Sequence, residues 1–342
     1  MNTQLKIAIV GAGTWGENHA AIYKAHPFCQ VVAICDRDEA KAQAVAQRAG
    51  IPRVYRDYEE MFRQSGCDAV AVVTPDFAHA DVAISAARQG KHLLIEKPLA
   101  TTREDVFRML DAFQKHHVRV MVDFHNRFSP PFNAAHAAIA RGELGEVYSA
   151  YMRLNDTKWV ATDLLPWAAR SSILWFLGSH SLDTLRWIMG DEVSRVYSVS
   201  REGVLKGMGV DTVDEYLTTM EFAGGGIAQM ENGWITPNAN PCVNDIKFNV
   251  LGTKGMISLD ASHHNLIQQY TDEKVSVPDI LVQHTVFNQP KGFAFESIRS
   301  FVDCMLSGEP FHVSLQDAAH TTLALLAIME SAKTRMPVEV RY

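Results

Sequence analysis

The sequence contains few cysteines, no long apolar run and no excess of basic charge. Its five cysteines are odd in number, widely spaced and never in a C-x-x-C pair, which argues against a disulfide framework or a zinc ribbon and fits a reducing compartment. The chain carries 39 acidic and 32 basic residues, which disfavours nucleic acid as a partner. No apolar run reaches the roughly 18 residues of a membrane span, and the N-terminus lacks the regions of a signal peptide. These absences predict a cytoplasmic protein without a membrane or nucleic-acid partner.

The composition that remains is that of a folded globular protein. Hydrophobic residues make up 47% and charged residues 21% of the 342 positions, which excludes wholesale disorder. At ~150 residues per domain, this length predicts two domains with ample material for a core. The sequence shows no internal repeat and no low-complexity segment.

The first third of the chain alternates short apolar runs with helical segments. The runs are rich in β-branched residues and end in glycine or polar residues, as buried parallel strands do. This rhythm predicts an α/β domain over residues 1–125, with a doubly wound parallel sheet that binds ligands at its carboxyl edge. The predicted strands are residues 6–10, 31–35, 69–73, 92–95 and 119–122.

The pattern changes after residue 128, where two prolines interrupt the chain. Residues 216–222 and 246–250 alternate apolar and polar side chains, which is the period of a sheet with one buried face. Three glycines at 224–226 predict a hairpin. We therefore expect a second, α+β domain over residues 126–342, with a large, open and mostly antiparallel sheet. Helices are expected near 293–306 and 317–331, and the segment 293–310 is expected to pack back on the first domain.

The first strand leads into Gly11-Ala-Gly-Thr-Trp-Gly16, a G-x-G-x-x-G sequence that also opens a predicted helix. In this context the motif predicts a dinucleotide site, because the glycines allow a tight turn and a close approach of the backbone to a pyrophosphate at the helix N-terminus. Asp36 ends the second strand, where a carboxylate accepts both adenosine ribose hydroxyls and repels a 2′-phosphate. NAD is therefore favoured over NADP, although Arg37 could hold a 2′-phosphate. The alternative is a glycine turn with a surface aspartate.

Further motifs accompany this glycine loop. They are D-Y-E-E at 57–60, D-A-V-A-V-V-T-P at 68–75, G-K-H-L-L-I-E-K-P at 90–98 and N-R-F at 126–128. Together these motifs make residues 6–131 resemble the glucose–fructose oxidoreductase/inositol dehydrogenase/MocA (Gfo/Idh/MocA) family. The resemblance implies a Rossmann domain followed by an open antiparallel sheet. It also implies an activity that oxidises or reduces sugars, cyclitols and related polyols with NAD(H) or NADP(H).

Lys97 stands in the most specific of these motifs, after a predicted strand and before Pro98. The resemblance implies that Lys97 hydrogen-bonds the reacting hydroxyl or carbonyl, where a cation stabilises the developing alkoxide. The alternative is a surface lysine. Glu96 is expected to contact the nicotinamide ribose or to hold Lys97, and His79 to line the cofactor or to start a helix on the surface. The residues expected to bind the cofactor are Gly11, Gly13, Thr14, Trp15, Gly16, Asp36, Arg37, Thr74, Pro75, His79, Glu96 and Lys97.

His180 lies in a segment that predicts a helix with Ser179 as its N-cap. At spacings of three and four residues, His180, Asp183 and Thr184 share one helix face. The resemblance implies that His180 is the general acid or base, a role that suits an imidazole near neutral pH. Asp183 could orient the ring or bind substrate. The alternative is a histidine that is hydrogen-bonded within the fold.

Phe176 departs from the family pattern, in which polyol dehydrogenases usually carry an aspartate four residues before this histidine. The change removes a carboxylate that would bind a hydroxyl or share a proton network. It therefore suggests a less hydroxylated substrate face or a repositioned acid–base group, and argues against simple inositol dehydrogenase activity. The candidates for a replacement carboxylate are Asp156, Asp163 and Glu231.

Two further side chains are candidates for substrate binding. Arg127 follows the last strand of the first domain and could bind a hydroxyl or a carboxylate; its alternative is a structural salt bridge. Trp167 is the best candidate for an aromatic wall against a sugar ring, with a core position as the alternative. The histidine pairs at 116–117 and 263–264 lack metal-ligand spacing, and no metal is expected.

These features lead to one principal hypothesis and two alternatives. The principal one is an NAD(H)-dependent oxidoreductase that transfers hydride between nicotinamide and a carbinol or carbonyl of a sugar, sugar derivative or cyclitol. The first alternative is an NAD-dependent glycoside hydrolase that works by transient oxidation, elimination and re-reduction. The second is a non-catalytic NAD-binding sensor. An open sheet with an apolar outer face also predicts a homodimer or homotetramer through the second domain.

Overall fold

In the computed structural model, residues 4–262 and 266–342 are described, and the chain forms two compact units. The first unit runs to His125 and also contains residues 281–319; the second contains residues 126–280 and 320–342. The segment 281–319, all of it within the predicted second domain, therefore belongs to the first unit, and it includes the segment 293–310 that was expected to pack back on the first domain. His263 and His264, which entered the argument against a metal, lie outside the described residues.

The first unit is built on a six-stranded parallel sheet with the order β3-β2-β1-β4-β5-β6. The central strands carry apolar side chains on both faces, and every residue of β4 is buried. Such strands need helices on both sides of the sheet. The strands are β1 Leu5–Val10, β2 Cys29–Cys35, β3 Val54–Tyr55, β4 Ala69–Val72, β5 His92–Ile95 and β6 Val120–Val122.

Helices connect these strands and begin at side chains that cap them. Asp38, Asp57 and Thr102 each accept a hydrogen bond from the backbone N–H three residues further on, which satisfies one of the unpaired donors of a helix N-terminus. The helices of this unit are α1 Thr14–Ala25, α2 Glu39–Ala49, α3 Tyr58–Gln64, α4 His79–Arg88, α5 Arg103–Lys115 and α9 Phe293–Ser307. The unit also contains the hairpin β15 His284–Val286 and β16 Gln289–Lys291.

Helix α9 is tied to the rest of the first unit by side-chain contacts. The Nε2 atom of His26, at the end of α1, lies 3.0 Å from Oδ1 of Asp303 on α9. Ser297 on α9 donates a hydrogen bond to Asp123 at the end of β6. The segment near residue 293 therefore completes the first unit although it is remote in sequence.

The second unit is built on a seven-stranded mixed sheet with the order β12-β11-β7-β10-β9-β8-β17. All neighbours are antiparallel except β7 and β10, and the hairpin predicted at the three glycines joins β9 to β10. The predicted fold class is confirmed: an α/β domain is followed by an open, mostly antiparallel sheet. The strands are β7 Val147–Asp156, β8 Val193–Arg201, β9 Glu215–Phe222, β10 Ile227–Gly233, β11 Asn244–Gly252, β12 Met256–Asp260 and β17 Val338–Glu339. A short hairpin comprises β13 Gln269–Tyr270 and β14 Val275–Ser276.

One face of this sheet is buried and the other is exposed. Along β9, buried and less buried residues alternate strictly, as the pleat requires when one face packs on a core. Met152, Trp234 and Phe248 are fully buried in that core. The helices associated with this unit are α6 Pro130–Ala140, α7 Ser179–Met189 and α8 Val204–Gly207, together with α10 Leu315–Thr334, whose residues from 320 onward belong here.

The start of α7 differs from the sequence-based expectation. A π-helical turn, Leu174–Gly178, leads directly into α7. Ser179 therefore already has helical backbone angles and is not an N-cap; its hydroxyl donates to the carbonyl of Trp175. Across the described residues, no helix is long and apolar enough to cross a bilayer.

Candidate active site

The glycine loop has the geometry that a dinucleotide-binding turn requires. Gly11 has a φ of +112°, and a Cβ on this residue would lie 2.3 Å from the carbonyl oxygen of Val73. A Cβ on Gly16 would lie 2.0 Å from the carbonyl oxygen of Gly11. Because both contacts are with backbone, neither glycine can be replaced without moving the turn. The turn therefore holds α1 close to the ends of β1 and β4.

Gly13 has the opposite surroundings, because a Cβ on this residue would meet nothing within 4 Å. Gly13 caps α1 without a side-chain hydrogen bond, and the first backbone N–H groups of a helix have no partner within it. Gly13 and Thr14 are both exposed. The turn thus offers open space and N–H donors at the positive end of the helix dipole, which is the chemistry that holds a pyrophosphate.

Asp36 is fixed at the end of β2 by two backbone donors. Its Oδ2 accepts from the N–H of Ala12 at 2.8 Å, and its Oδ1 accepts from the N–H of Asp38 at 2.9 Å. The carboxylate is therefore bound to the glycine loop itself. It places a negative charge beside the turn, as expected for a group that accepts ribose hydroxyls. Arg37 is exposed.

Trp15 belongs to a row of aromatic rings that no local sequence pattern predicts. Its ring stacks on His125, with 6.0 Å between ring centroids and 24° between planes. His125 in turn lies 5.7 Å from Phe293 at the start of α9. No local pattern links these three residues, since they come from three distant parts of the chain. The row lies beside the exposed glycine turn of the first unit.

His79 is buried, and both of its ring nitrogens are engaged with backbone. Nδ1 lies 2.8 Å from the carbonyl oxygen of Pro98, and Nε2 lies 2.9 Å from that of Thr74. His79 is therefore not a surface residue, and its ring joins the loops that follow β4 and β5. The Thr74 hydroxyl is buried and has no hydrogen-bond partner among the described residues; Pro75 is half-buried beside it.

Glu96 and Lys97 follow β5, but their side chains have different surroundings. Glu96 is 8% exposed, and its Oε1 lies 2.9 Å from Nε2 of His19, whereas Lys97 is half-buried. Burial by itself would raise the pKa of Glu96. The hydrogen bond from His19 and the nearby charges of His19, Lys97 and His125 outweigh burial and lower this pKa below its ordinary value. Glu96 is therefore held as a carboxylate. The peptide bond between Lys97 and Pro98, directly after it, is cis.

In the second unit, His180 lies at the first turn of α7 and is 4% exposed. Thr184, one turn later, donates to the backbone carbonyl of His180 at 2.7 Å and accepts from the side chain of Asn126 at 3.2 Å. The helix face that His180, Asp183 and Thr184 share is thus buried and polar. A histidine whose imidazole is shielded from bulk water in this way has the surroundings in which proton transfer can be controlled.

Arg127 and Asp183 form a buried bidentate ion pair. Arg127 Nε and Nη2 lie 2.9 and 2.7 Å from the two carboxylate oxygens of Asp183, and the two residues are 8% and 0% exposed. The guanidinium also lies 5.7 Å from the centre of the Trp187 ring. Each of these predicted substrate-binding side chains therefore has the other as a partner. The pair fixes the loop before α6 to the middle of α7.

Trp167, the predicted aromatic wall, belongs to a connected row of aromatic rings. The rings of Trp167 and Phe176 are 6.4 Å apart, and those of Phe176 and Trp234 are 6.0 Å apart. Trp167 and Phe176 are half-buried, whereas Trp234 is fully buried and belongs to the core. Trp167 and Phe176 thus form the accessible part of an apolar wall that ends one turn before His180.

The three candidates for a replacement carboxylate occupy different places. Glu231 accepts hydrogen bonds from Tyr151 and Asn155. The next residue, Asn232, contacts Ser181 of α7 and therefore lies on the face of the sheet that packs against α7. Because successive side chains of a strand point to opposite faces, Glu231 lies on the face away from α7. Asp163 is exposed in a π-helical turn. Asp156 is 1% exposed, and it shares the α7 face with other buried residues of β7.

Two family models match the chain and together cover most of it. Residues 5–124 match the oxidoreductase family with an NAD-binding Rossmann fold, and residues 132–258 match the GFO/IDH/MocA C-terminal domain. The fold and the glycine loop thus define an NAD-binding oxidoreductase. The chain belongs to the Gfo/Idh/MocA family, which confirms the resemblance found in the sequence.

Two relatives that match along nearly the full length are named as dehydrogenases. The scyllo-inositol 2-dehydrogenase (NAD(+)) of Bacillus subtilis strain 168 is 27% identical over 99% of this chain and 97% of its own. The D-glucoside 3-dehydrogenase of Escherichia coli K12 is 25% identical over 99% and 98%. The crystal structure of scyllo-inositol dehydrogenase from Lactobacillus casei with bound NAD(H) and scyllo-inositol is 20% identical and has a TM-score of 0.84 over 98% of this chain and 99% of that one. At that identity it shows the shared fold alone.

Replacing Asp36 should change the cofactor preference. The substitution Asp36→Ser removes the carboxylate that we expect to accept the ribose hydroxyls, and a hydrogen bond to a charged group is worth about 1.5–3 kcal/mol. We expect NADH to bind about 10- to 100-fold more weakly, and NADPH to bind better because its 2′-phosphate is no longer repelled. Titration of nicotinamide fluorescence with each cofactor measures both effects. Asp38→Ser, at an exposed neighbour, is the control, and unchanged affinities in Asp36→Ser would contradict the assignment.

Removing one partner of the Arg127–Asp183 pair should destabilise the second unit strongly. The substitution Asp183→Ala leaves the guanidinium buried beside a missing carboxylate, which costs about 3–5 kcal/mol. The double variant Arg127→Met, Asp183→Leu removes both charges and should recover most of that loss. Urea unfolding measures the free energies. Glu221→Ala, which breaks an ion pair with Arg195 on the exposed sheet face, should change them little, and an equally small effect of Asp183→Ala would refute the structural role.

Proposed function

We propose that this protein is an NAD(H)-dependent dehydrogenase of a sugar, sugar derivative or cyclitol, in which Lys97 and His180 act at the reacting oxygen. The observation that carries the proposal is the placement of Lys97 at the carboxyl end of β5, in a sheet whose glycine turn fits a dinucleotide. In sheets of this kind, ligands bind at that edge. The names of the relatives supply the substrate class.

In this proposal Lys97 stabilises negative charge on the substrate oxygen. Bound nicotinamide would accept or return the hydride. When the substrate is oxidised, its hydroxyl loses a proton as the hydride leaves the carbinol carbon, and a fixed ammonium group favours the alkoxide that develops. The cation is worth most where water is excluded. Lys97 is half-buried and follows a buried carboxylate that is held by His19, which supports a fixed position.

His180 moves the proton of the same hydroxyl. Its ring accepts the proton when the substrate is oxidised and donates it when the carbonyl is reduced, so atoms and charge balance in both directions. Burial at the first turn of α7 supports this role, because a general acid or base must be held in a defined position. Asp156 lies on the face of the sheet that packs against α7. We propose it as the carboxylate that replaces the one absent at position 176.

The half-buried rings of Trp167 and Phe176 support a substrate with an apolar ring face. A pyranose or cyclitol ring presents C–H groups on one face, and aromatic walls with a few fixed polar groups are the common design of such pockets. Phe176 offers no hydroxyl ligand. We therefore propose that the preferred substrate bears fewer hydroxyl groups on the face beside this residue than inositol does.

Replacing Lys97 should reduce turnover without affecting cofactor binding. For Lys97→Ala we expect kcat to fall about 100- to 1,000-fold, as when a donor to a developing oxyanion is removed, while the affinity for NADH stays within about twofold of wild type. NADH absorbance on a panel of inositols, pyranoses and glucosides measures kcat. Lys115→Ala, at the exposed end of α5, is the matched control. Unchanged turnover of Lys97→Ala would remove this residue from the mechanism.

The same panel distinguishes the alternative functions. An aryl glucoside releases its aglycone without net NADH if the protein is a glycoside hydrolase that oxidises and re-reduces its substrate. A sensor binds NADH but turns over no compound. The dehydrogenase proposal requires NADH formation in proportion to product, and it requires that His180→Ala lower kcat by about 100- to 10,000-fold.

We also propose that the protein self-associates through the exposed face of the second sheet. This face carries apolar side chains that a monomer would leave in water, and such patches are usually covered. Six of these apolar side chains are 40–66% exposed: Tyr197, Val199, Leu217, Ile227, Leu251 and Met256. We expect a homodimer or homotetramer by light scattering after gel filtration. Leu217→Asp should dissociate it, whereas a monomeric wild type would contradict the proposal.

A further inference from the structure

The first unit contains a buried polar cluster that includes the Glu96 side chain. It draws side chains from α1, from the ends of β5 and β6, and from α9. Every member is at most 8% exposed. The members are His19, Tyr23, Glu96, Asp123 and Ser297.

His19 occupies the centre of this cluster and uses both ring nitrogens. Nε2 lies 2.9 Å from Oε1 of Glu96, and Nδ1 lies 3.1 Å from the hydroxyl of Tyr23. Asp123 accepts a hydrogen bond from Ser297. A buried carboxylate without such donors would be costly. The imidazole is therefore what holds the Glu96 side chain inward.

Ligand atoms of His19, Glu96 and Asp123 lie within 4.8 Å of one another, so a metal ion is the first alternative to consider. A metal would need a ring nitrogen of His19 as a ligand. Both nitrogens already have hydrogen-bonding partners within the protein. In this structure the cluster is thus a hydrogen-bonded network.

His79 performs a matching task on the other side of Lys97. Its two ring nitrogens bridge the carbonyl oxygens of Thr74 and Pro98. Carbonyl oxygens only accept, so a neutral imidazole would donate one of these bonds and an imidazolium both. One buried histidine thus holds the side chain of the residue before Lys97, and a second holds the carbonyl of the residue after it.

We propose that His19 and His79 are positioning residues that fix the backbone around Lys97 and so aim its ammonium group. The proposal rests on the role of Lys97 in the proposed function. His19 lies three residues after Gly16 on α1, the helix whose N-terminus faces the dinucleotide. The same helix therefore orders the cofactor turn and, one turn later, the lysine loop.

The charge on Glu96 has several neighbours that any test must take into account. They lie on α1, on the β5 loop and after β6, and Nδ1 of His125 is 3.9 Å from Asp123. The titratable and charged groups that face Glu96 are His19, Tyr23, Lys97, Asp123 and His125.

Two amide substitutions at position 19 distinguish the loss of the hydrogen bond to Glu96 from the loss of the imidazole ring itself. The Gln amide can replace Nε2 and reach Glu96, whereas the shorter Asn amide replaces Nδ1 and reaches only Tyr23. We expect His19→Gln to keep kcat within a few-fold of wild type. We expect His19→Asn to lower kcat by about 100-fold, the effect of a misplacement of about 1 Å, with little change in NADH affinity. Equal kcat values for the two variants would overturn the proposal.

A second readout uses the protein without cofactor or substrate. In wild type the pKa of Glu96 is lowered, so its ionised carboxylate stabilises the fold at every pH above the ordinary pKa of a glutamate. This contribution is lost as the pH falls through the lowered pKa. In His19→Asn burial should raise that pKa, so the fold is penalised as the pH rises. The free energy of unfolding of wild type relative to His19→Asn should therefore grow between about pH 4 and 7. A constant difference would contradict the role of His19.

The control is the other histidine–carboxylate pair of α1. His26→Gln changes the contact with Asp303, which is largely exposed, and should leave kcat unchanged. If His19→Asn does not fold, Tyr23→Phe, which removes the hydroxyl at Nδ1, should lower kcat in the same direction by a smaller factor. A wild-type kcat in Tyr23→Phe would then overturn the proposal.

A double-mutant cycle with Lys97→Ala distinguishes this proposal from the proposed function. If His19 acts through Lys97, adding His19→Asn to Lys97→Ala should lower the residual kcat no further. Full additivity overturns the positioning role and leaves the role of Lys97 intact. If Lys97→Ala alone keeps wild-type turnover, the proposed function fails instead. His79→Ala should give the same lack of additivity.

Discussion

Backbone contacts between the glycine turn and the ends of two strands are the constraint on which the first unit depends. Gly11 lies against the carbonyl of Val73, and Gly16 lies against the carbonyl of Gly11. Any side chain at these positions would push α1 away from the sheet. Because α1 starts so close to the strand ends, its first N–H groups, which have no partner within the helix, face the carboxyl edge. His19 reaches the residue that follows β5. The cofactor turn and the lysine loop thus depend on the same close contact.

Buried polar groups provide the second organising principle, because each needs a partner inside the protein. Glu96 finds one in His19, and Asp183 finds one in Arg127. His79 finds two backbone carbonyls. Each interaction ties a loop to an element remote in sequence. Polar side chains that look like ligands in a sequence can therefore hold a ligand-binding loop in place.

The sequence predicted the elements whose signal is local. Buried strands, the glycine turn, Asp36 and the alternation in β9 all depend on short-range patterns, and the structure places them as expected. The predicted start of α7 was wrong, because a π-helical turn continues directly into this helix. Ser179 is therefore not its N-cap, and its hydroxyl donates to the carbonyl of Trp175 instead. The row of Trp15, His125 and Phe293 was missed. Pairings over more than a hundred residues leave no periodic trace in the chain.

The pairing of Arg127 with Asp183 bears on how a substrate would be recognised in the second unit. Two of the side chains that could have bound hydroxyl groups neutralise each other, and Phe176 replaces a third. Recognition by many hydrogen bonds gives strong discrimination, since a wrong substrate leaves buried polar groups unpaired. An apolar wall discriminates less, because a lost or added group in such a pocket changes the binding free energy by only about 1–3 kcal/mol. In the proposed site, His180 is the fixed polar group and Trp167 and Phe176 supply the aromatic wall. We therefore expect the ring shape of the substrate to determine selectivity more than its pattern of hydroxyl groups.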